Sequence, residues 1–373
     1  MKVTIVGGSI GSLVTGLSML KRGFDVNIFE RSPSEMQGRG AGLVIQPGLK
    51  DFIVDNGLST ENLFGISADE RQILNFHGDV ISRYNNEGSF SSWSHLWKQL
   101  KNFFPDERYH YGNKMESFKQ VGEQVFATFD TGWIEQSDLL VGADGYNSQT
   151  RSQFLPQIKP VYAGYIAYRG LIDEKDLSDS EINFFDRRFT FFPYEHSHLL
   201  SYLVPGRNGE VHKGHRRLNW VWFVNKSKSE LQLVMTDKNG IKRDFSMPSG
   251  YISEQSRSEL HIRAKRELPA VLADRVLQTT DPFVQAIIDM EVPRMYDGRV
   301  ALIGDAAFLL RPHTAAGTVK AYEDGVSLSA ALSNKISIEQ ALGHWNQVQM
   351  DYAKKLVHYG KVLAAQSGLG YLR

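Results

Sequence analysis

The chain has no cysteine among its 373 residues. Disulfides, thiolate nucleophiles, cysteine-ligated zinc and any cofactor tethered through cysteine sulfur are therefore excluded. It also has no surplus charge of either sign, with Lys plus Arg at 42 and Asp plus Glu at 42. Nucleic-acid binding favours a strong basic bias and gains no support from that balance. No apolar run approaches the roughly 18 residues of a membrane span. The N-terminus enters a strand-like run at once and lacks a secretory apolar region, so the cytoplasm is the expected location. No internal repeat or long low-complexity tract is present, and the length allows two domains with substantial cores.

Three glycine-bearing segments stand out instead. The first is Val3-Thr-Ile-Val-Gly7-Gly8-Ser9-Ile-Gly11. Val3 to Val6 suits a buried parallel strand, and Gly7 permits a tight turn. From Ile10 a helical period takes over, with Leu13, Val14, Leu17 and Leu20 on its face. A strand that turns directly into a helix presents free N–H groups where a pyrophosphate fits. Glu30 lies about twenty residues past the glycines, where a carboxylate can accept from a ribose diol. The motif is imperfect, because Ser9 and Ser12 replace two glycines of G-x-G-x-x-G.

The second segment is Leu139-Leu-Val-Gly142-Ala-Asp144-Gly145, with Ser148 and Arg151 after it. The third is Val300-Ala-Leu-Ile-Gly304-Asp305, followed by Arg311-Pro312-His313 and Gly317. The second reads as a buried strand delivering Asp144-Gly145 to a loop, the third as one delivering Gly304-Asp305 to a helix start. A strand-end Asp can simply cap a helix. Two such ends together with a strand–helix start point to one extended dinucleotide, FAD.

These segments resemble those of the single-component FAD-dependent aromatic hydroxylases, the para-hydroxybenzoate hydroxylase-like group. Asp144-Gly145 with Ser148 and Arg151 matches its DG motif, and Gly304-Asp305 with Pro312 and Gly317 its GD motif. Val44-Ile-Gln46-Pro47, Tyr162-Ala-Gly164-Tyr165, Leu203-Val-Pro205-Gly206-Arg207 and Arg311-Pro312-His313 to Gly317 resemble the 2,6-dihydroxypyridine 3-hydroxylase subgroup. Ala315 and Ala316 depart from the usual Gly-Gln, Val319 from Asn, and Trp93 from an Arg common in relatives.

The resemblance implies an α/β fold: a Rossmann-like FAD-binding domain of the GR2 type, an inserted mixed β-sheet substrate domain and C-terminal helices. The expected FAD domain is 1–70, 99–164 and 281–373, and the substrate domain 71–98 and 165–280. Noncovalent FAD would be held by Gly7, Ser9, Ile10, Gly11, Glu30, Arg31 and Gln46 from the first part of the chain. Asp144, Gly145, Gly304, Asp305, Ala315, Ala316 and Gly317 would complete the set. NADH or NADPH and dioxygen would be co-substrates. The implied reaction inserts one oxygen atom into an electron-rich ring through a C4a-hydroperoxyflavin. No metal is expected, and a homodimer is left open.

The stretch from Tyr165 to Val224 is crowded with aromatics, including Phe189, Phe191, Tyr202, Trp220 and Trp222, and reads as a substrate sheet. On a strand, His198, Leu200 and Tyr202 share one face. His198 either takes a proton from a phenol-like substrate or is a sheet-edge histidine. Arg169 either orients an anionic ring oxygen or pairs with a carboxylate. His313 is an active-site or a capping histidine, beside Pro312 at the flavin ring. Trp220-Val-Trp222 lacks the Ile-Pro of the halogenase signature and reads as one strand face. A hydroxylase for tetracycline-like or salicylate-like rings and a binding-only FAD-fold protein are the alternatives.

Overall fold

The computed structural model describes residues 1–36, 42–57, 65–334 and 336–370. The first apolar run is a strand at Lys2–Val6, and the chain turns through Gly7 into a helix at Ile10–Lys21. Gly7 has φ of 100°, and a Cβ there would lie 2.3 Å from the carbonyl oxygen of Ala143. Both the turn and the neighbouring strand therefore require glycine. Asp25–Phe29 pairs parallel with the first strand on one side. Leu139–Gly142 pairs parallel on the other, with Val300–Leu302 parallel beyond it. Val3, Ile5, Leu139, Val141 and Val300 have no exposed surface. Burial of each contributes about 1.5–3 kcal/mol.

Tyr296–Asp297 and Tyr109–His110 complete this six-stranded sheet at its two edges. Because its inner strands run parallel, the three motif loops leave the same edge. That carboxyl edge is where ligands sit in open α/β sheets. The helix Gly317–Leu332 crosses Ile10–Lys21 on one face. The crossing is close: a Cβ on Gly11 would lie 3.0 Å from that of Ala321, and one on Gly325 would lie 1.9 Å from Thr15 Oγ1. The last helix, Ile338–Gln366, opens with a capping box at Ser337 and packs on Gly317–Leu332. None of the helices in the described residues is long and apolar enough to cross a membrane.

A ten-stranded sheet holds the aromatic region. Val161–Asp173, Arg217–Asn225, Ser197–Val204 and Arg188–Tyr194 run antiparallel in that order. Ile66–Leu74 then pairs parallel with Arg188–Tyr194, followed by Val80–Ser92 and Gly42–Ile45. Gly42–Ile45 and Ile66–Leu74 are thus strands of this sheet, although they fall within or across the expected 1–70 segment. The limit at 164/165 falls inside Val161–Asp173, where the register shifts between Tyr162 and Ile166. The limit at 98/99 falls inside the helix Trp93–Phe103.

The period of two divides the sheet. Opposed pairs Ala167–Phe223, Arg169–Val221, His198–Phe223 and Leu200–Val221 share one face. Tyr168, Trp220, Trp222 and Leu199 face the other way, buried in a core with Leu260 and Leu272. These core leucines come from the helices Glu254–Glu267 and Ala270–Gln278. Trp220 donates to Thr279 Oγ1 at 2.8 Å and Trp222 to Ser197 Oγ at 3.0 Å. Each indole N–H thus has its partner on the core side. A three-stranded sheet of Met115–Val121, Gln124–Phe129 and Ile134–Ser137 packs through Phe129 against Phe29.

Candidate active site

One cavity of 1330 Å³ runs between the motif edge of the six-stranded sheet and the front face of the ten-stranded sheet. At the motif end it is lined by Ser9, Ile10, Gly11, Gly145, Gly304 and Asp305. Pro312, His313, Ala315 and Gly317 form the middle, and Arg169, His198 and Tyr202 the sheet end. Trp93 also lines it. The sequence therefore brings its three motifs and its substrate candidates to one continuous space.

The motif end has the features of a dinucleotide cradle. The helix Ile10–Lys21 has no side-chain cap at Ser9, so its first N–H groups are free for an anion. The helix Gly317–Leu332 is likewise uncapped by a side chain at Ala316. Ala315, just before it, sits in the left-handed region at φ 51°. That conformation costs a non-glycine residue about 1–2 kcal/mol. Asp305 lines the cavity, and among the described residues no hydrogen bond or ion pair reaches its carboxylate. Asp305 is exposed to the cavity solvent, and desolvation by the surrounding protein raises its carboxyl from 3.8 to about 6. A free carboxylate, two open helix starts and glycine turns fit FAD, whose ribityl hydroxyls and phosphates supply the matching donors and charge.

Other expected cofactor residues stand behind this cradle and do not line the cavity. Glu30 is buried, and its Oε2 accepts from the Gly8 N–H at 2.7 Å. Its Oε1 accepts from the Ser32 N–H at 2.8 Å and the Ser32 hydroxyl at 2.6 Å. The Gly8 carbonyl in turn accepts from Trp97 Nε1 and from the Tyr109 hydroxyl, both at 2.8 Å. Asp144 accepts from the Thr150 N–H at 3.0 Å and from the hydroxyls of Thr150 and Ser148. It thereby fixes the loop before the helix Gln149–Phe154. Arg151 donates to the carbonyls of Ala306 and Tyr146 at 3.1 and 2.7 Å, joining the second and third motifs. Arg31 is exposed, Gln46 precedes the helix Pro47–Asp55, and Gly7 and Ala316 shape their turns.

At the sheet end, His198 and His313 meet with ring centroids 5.1 Å apart, and Phe223 contacts both. His313 Nε2 and the Tyr165 hydroxyl are 2.8 Å apart, while His313 Nδ1 is buried without a partner. Burial, then the field of His198 and Arg311, pushes His313 down to about 3. Burial, then Arg71, pushes His198 down to about 4, and its Nδ1 is also unpartnered. Both imidazoles are therefore neutral at pH 7 and weakly basic, since burial disfavours their protonated forms. Arg169 donates to Gln285 Oε1 at 2.7 Å and to the Gly42 carbonyl at 3.3 Å, leaving Nε unpartnered. It pairs with no carboxylate among the described residues. Tyr202 lies stacked against Phe189 with centroids 5.8 Å apart, and burial pushes its phenol up to about 12.

Sequence reading missed Arg71 in the cavity lining and, behind it, Tyr165 and Asn219. Arg71 lines the cavity, and Tyr165 is the partner of His313. Asn219 opposes Tyr202, accepts from the Gly42 N–H at 3.1 Å and has an unpartnered amide nitrogen. For Arg71 the sequence carried no local signal, since its place depends on the pairing of Ile66–Leu74 with Arg188–Tyr194. No group of three or more side chains among the described residues could hold a metal.

Comparison with known proteins agrees with this geometry. A family model described as FAD binding domain-like matches residues 162–289. The chain is 30% identical over 366 residues to 2,6-dihydroxypyridine 3-monooxygenase of Paenarthrobacter nicotinovorans, covering 98% of this chain and 91% of that protein. It is 24% identical to 6-hydroxynicotinate 3-monooxygenase of Pseudomonas fluorescens, over 89% of this chain and 82% of that one. The solved structure of 2,6-dihydroxypyridine-3-hydroxylase from Arthrobacter nicotinovorans superposes with a TM-score of 0.92 at 30% identity, covering 98% and 92% of the two chains. With near-full coverage in both sequence and structure, this chain belongs to the FAD-dependent aromatic-ring monooxygenases.

Proposed function

We propose that the enzyme hydroxylates a small, electron-rich aromatic or N-heteroaromatic ring that already carries a hydroxyl, with a hydroxypyridine first among candidates. The observation that carries this reading is the single cavity joining the dinucleotide cradle to a face of aromatic residues and two neutral histidines. The name of the 30%-identical relative supports the pyridine class. When bound, FAD supplies the chemistry that passes electrons from NAD(P)H to dioxygen and delivers one oxygen atom to the ring. A need for NAD(P)H is in keeping with a cytoplasmic enzyme.

The division of labour follows the two sheets. Asp305 would receive hydroxyl donors of the cofactor, and the uncapped starts of Ile10–Lys21 and Gly317–Leu332 would hold its negatively charged groups. Pro312 and Ala315 shape the turn at the middle of the cavity, where they would bound the ring system. On the opposite wall, Phe191, Phe223 and Tyr202 bound the space for a flat substrate and exclude water. The unpartnered Nδ1 of His198 or His313 accepts a hydrogen bond from the ring hydroxyl and passes its proton on without holding it, since burial keeps both imidazoles weakly basic, and the deprotonated ring is richer in electrons. From His313 the proton has a relay partner in the Tyr165 hydroxyl at 2.8 Å. Arg169 holds Gly42 and Gln285 in place at the end of this wall.

The test is a panel of hydroxylated aromatic and N-heteroaromatic compounds, read by NADH consumption and product mass spectrometry under labelled dioxygen. The expected result is one labelled atom per product, with flavin reduction faster when substrate is present. A panel in which every stimulating compound yields only hydrogen peroxide overturns the hydroxylase reading.

A further inference from the structure

Among the described residues, Arg71 is an arginine of the cavity lining with no hydrogen bond or ion pair to the protein. It lies on Ile66–Leu74, directly opposite Phe189 in the parallel pairing with Arg188–Tyr194. Its neighbours on that edge are all matched to acids. Arg187 is paired with Asp69 through two contacts, and Arg188 with Glu70 at 3.2 Å. Arg83 reaches Glu70 at 3.9 Å. Arg71 has no hydrogen bond or ion pair among the described residues. Arg169, the other guanidinium lining the cavity, already donates to Gln285 and Gly42.

The aromatic wall holds Arg71 in place. Its guanidinium carbon lies 4.8 Å from the centroid of Phe191 and 5.3 Å from that of Phe189. Contact with two rings restrains the exposed guanidinium without using its donors. A planar fork with free donors matches a carboxylate or a ring oxygen that has lost its proton. His198 lies within range of the field of Arg71 and on the same wall. The charge that Arg71 receives therefore sits at the edge of a ring bounded by Phe191 and His198.

We propose that Arg71 is a specificity-determining residue that selects substrates carrying negative charge at the ring edge. The proposal rests on the hydroxylase reading above and narrows it from hydroxylated rings in general to anionic ones. Neutral rings of the same shape would fill the cavity and lack this contact.

The test compares 6-hydroxynicotinate with its neutral analogue 6-hydroxynicotinamide, binding each to the FAD-loaded enzyme and following the change in flavin absorbance. Wild-type enzyme is expected to prefer the acid. Arg71→Gln should weaken the acid about ten- to a hundredfold, as loss of a charge-assisted bond implies, and the amide less than about twofold. Arg71→Lys should retain part of the preference, because it keeps the charge without the fork. Equal weakening of both ligands would mark a structural residue and overturn the proposal. So would no weakening, or a loss confined to the KM for NADPH but not NADH, which would mark a phosphate contact on the co-substrate. A wild-type enzyme that binds amide and acid equally overturns this proposal alone. One that binds no hydroxylated ring in the panel overturns the hydroxylase reading with it.

Discussion

Asp305 shows how a single residue can be held in readiness. Among the described residues its carboxylate has no protein partner and is open to the cavity solvent, and the surrounding protein pushes its carboxyl up to about 6. Bound hydroxyl donors would offset that shift. Asp305→Ala is therefore expected to weaken FAD by about 1.5–3 kcal/mol, roughly ten- to a hundredfold, in titrations of apoprotein. Unchanged affinity would remove the residue from the cradle. The two facing histidines carry the opposite sign of pH dependence. Their folded values, about 4 for His198 and about 3 for His313, lie below the ordinary 6.5. The stability they contribute is full above 6.5 and is lost as pH falls toward those values. Asp305 acts the other way in apoprotein, since its contribution is full below 3.8 and is lost as pH rises through about 6. His198→Phe keeps the ring contacts with Phe191 and Phe223 and removes one proton acceptor. Urea unfolding at pH 7 and pH 5 should show the variant losing about 2 kcal/mol less than wild type over that interval. Equal losses would show that His198 is not held neutral.

At the scale of elements, the approach of the two cradle helices is set by small residues. Gly11 faces Ala321, and Gly325 faces Thr15, whose hydroxyl also donates to the Gly11 carbonyl at 2.6 Å. Gly325→Ala would place a methyl group 1.9 Å from that hydroxyl oxygen, so one helix must move. A loss of about 1–3 kcal/mol is expected, with weaker FAD binding because both helix starts face the cavity. Gly343→Ala in the last helix is the control. Its Cβ would meet only the Tyr296 hydroxyl at 3.5 Å, so helix propensity should stabilise the protein by about 0.5–1 kcal/mol. Denaturant unfolding of the two variants should move in opposite directions.

The same elements show what the sequence could and could not reveal. The strand at Lys2–Val6, the helix at Ile10–Lys21 and the two late helices were legible, because their apolar periods are local. The shared face of His198, Leu200 and Tyr202 followed from the period of two alone. The parallel pairing of Ile66–Leu74 with Arg188–Tyr194 joins segments more than a hundred residues apart, and nothing local announces it. Arg71 was hidden for that reason, since its role depends on which strand lies beside it. The inward hydrogen bonds of Glu30 and Asp144 were hidden for a different reason. A carboxylate after a strand looks the same in sequence whether it serves a ligand or the loop that holds one.

Across the whole molecule, Arg311 ties the third motif to the substrate sheet. It makes two parallel bonds to Asp289, of 2.9 and 2.7 Å, and lies over the Tyr165 ring at 5.6 Å. Asp289 belongs to Phe283–Glu291 of the ten-stranded sheet, while Arg311 immediately precedes Pro312. The pair therefore sets the registry between the cofactor cradle and the aromatic wall. Its loss should displace substrate relative to cofactor more than it disturbs either binding site, and displacements of about 1 Å can cost a hundredfold in rate. Arg311→Met should raise the fraction of NADH consumption that ends as hydrogen peroxide, measured by peroxide assay against product formed. A variant whose oxidation remains fully coupled to product would show that registry is held elsewhere.

The indole rings near the cradle give the protein a built-in optical gauge. Trp97 donates to the Gly8 carbonyl, and Trp93 lines the cavity with its ring stacked 6.2 Å from that of Trp97. Trp220 and Trp222 lie just behind the opposite wall, on the strand whose alternate residues Val221 and Phe223 line the cavity. Four of the six tryptophans thus surround the space where an isoalloxazine, an efficient acceptor of indole emission, would lie. Ultraviolet-excited fluorescence should be dim in the loaded enzyme and brighten as cofactor departs, so occupancy can be followed in real time without a label.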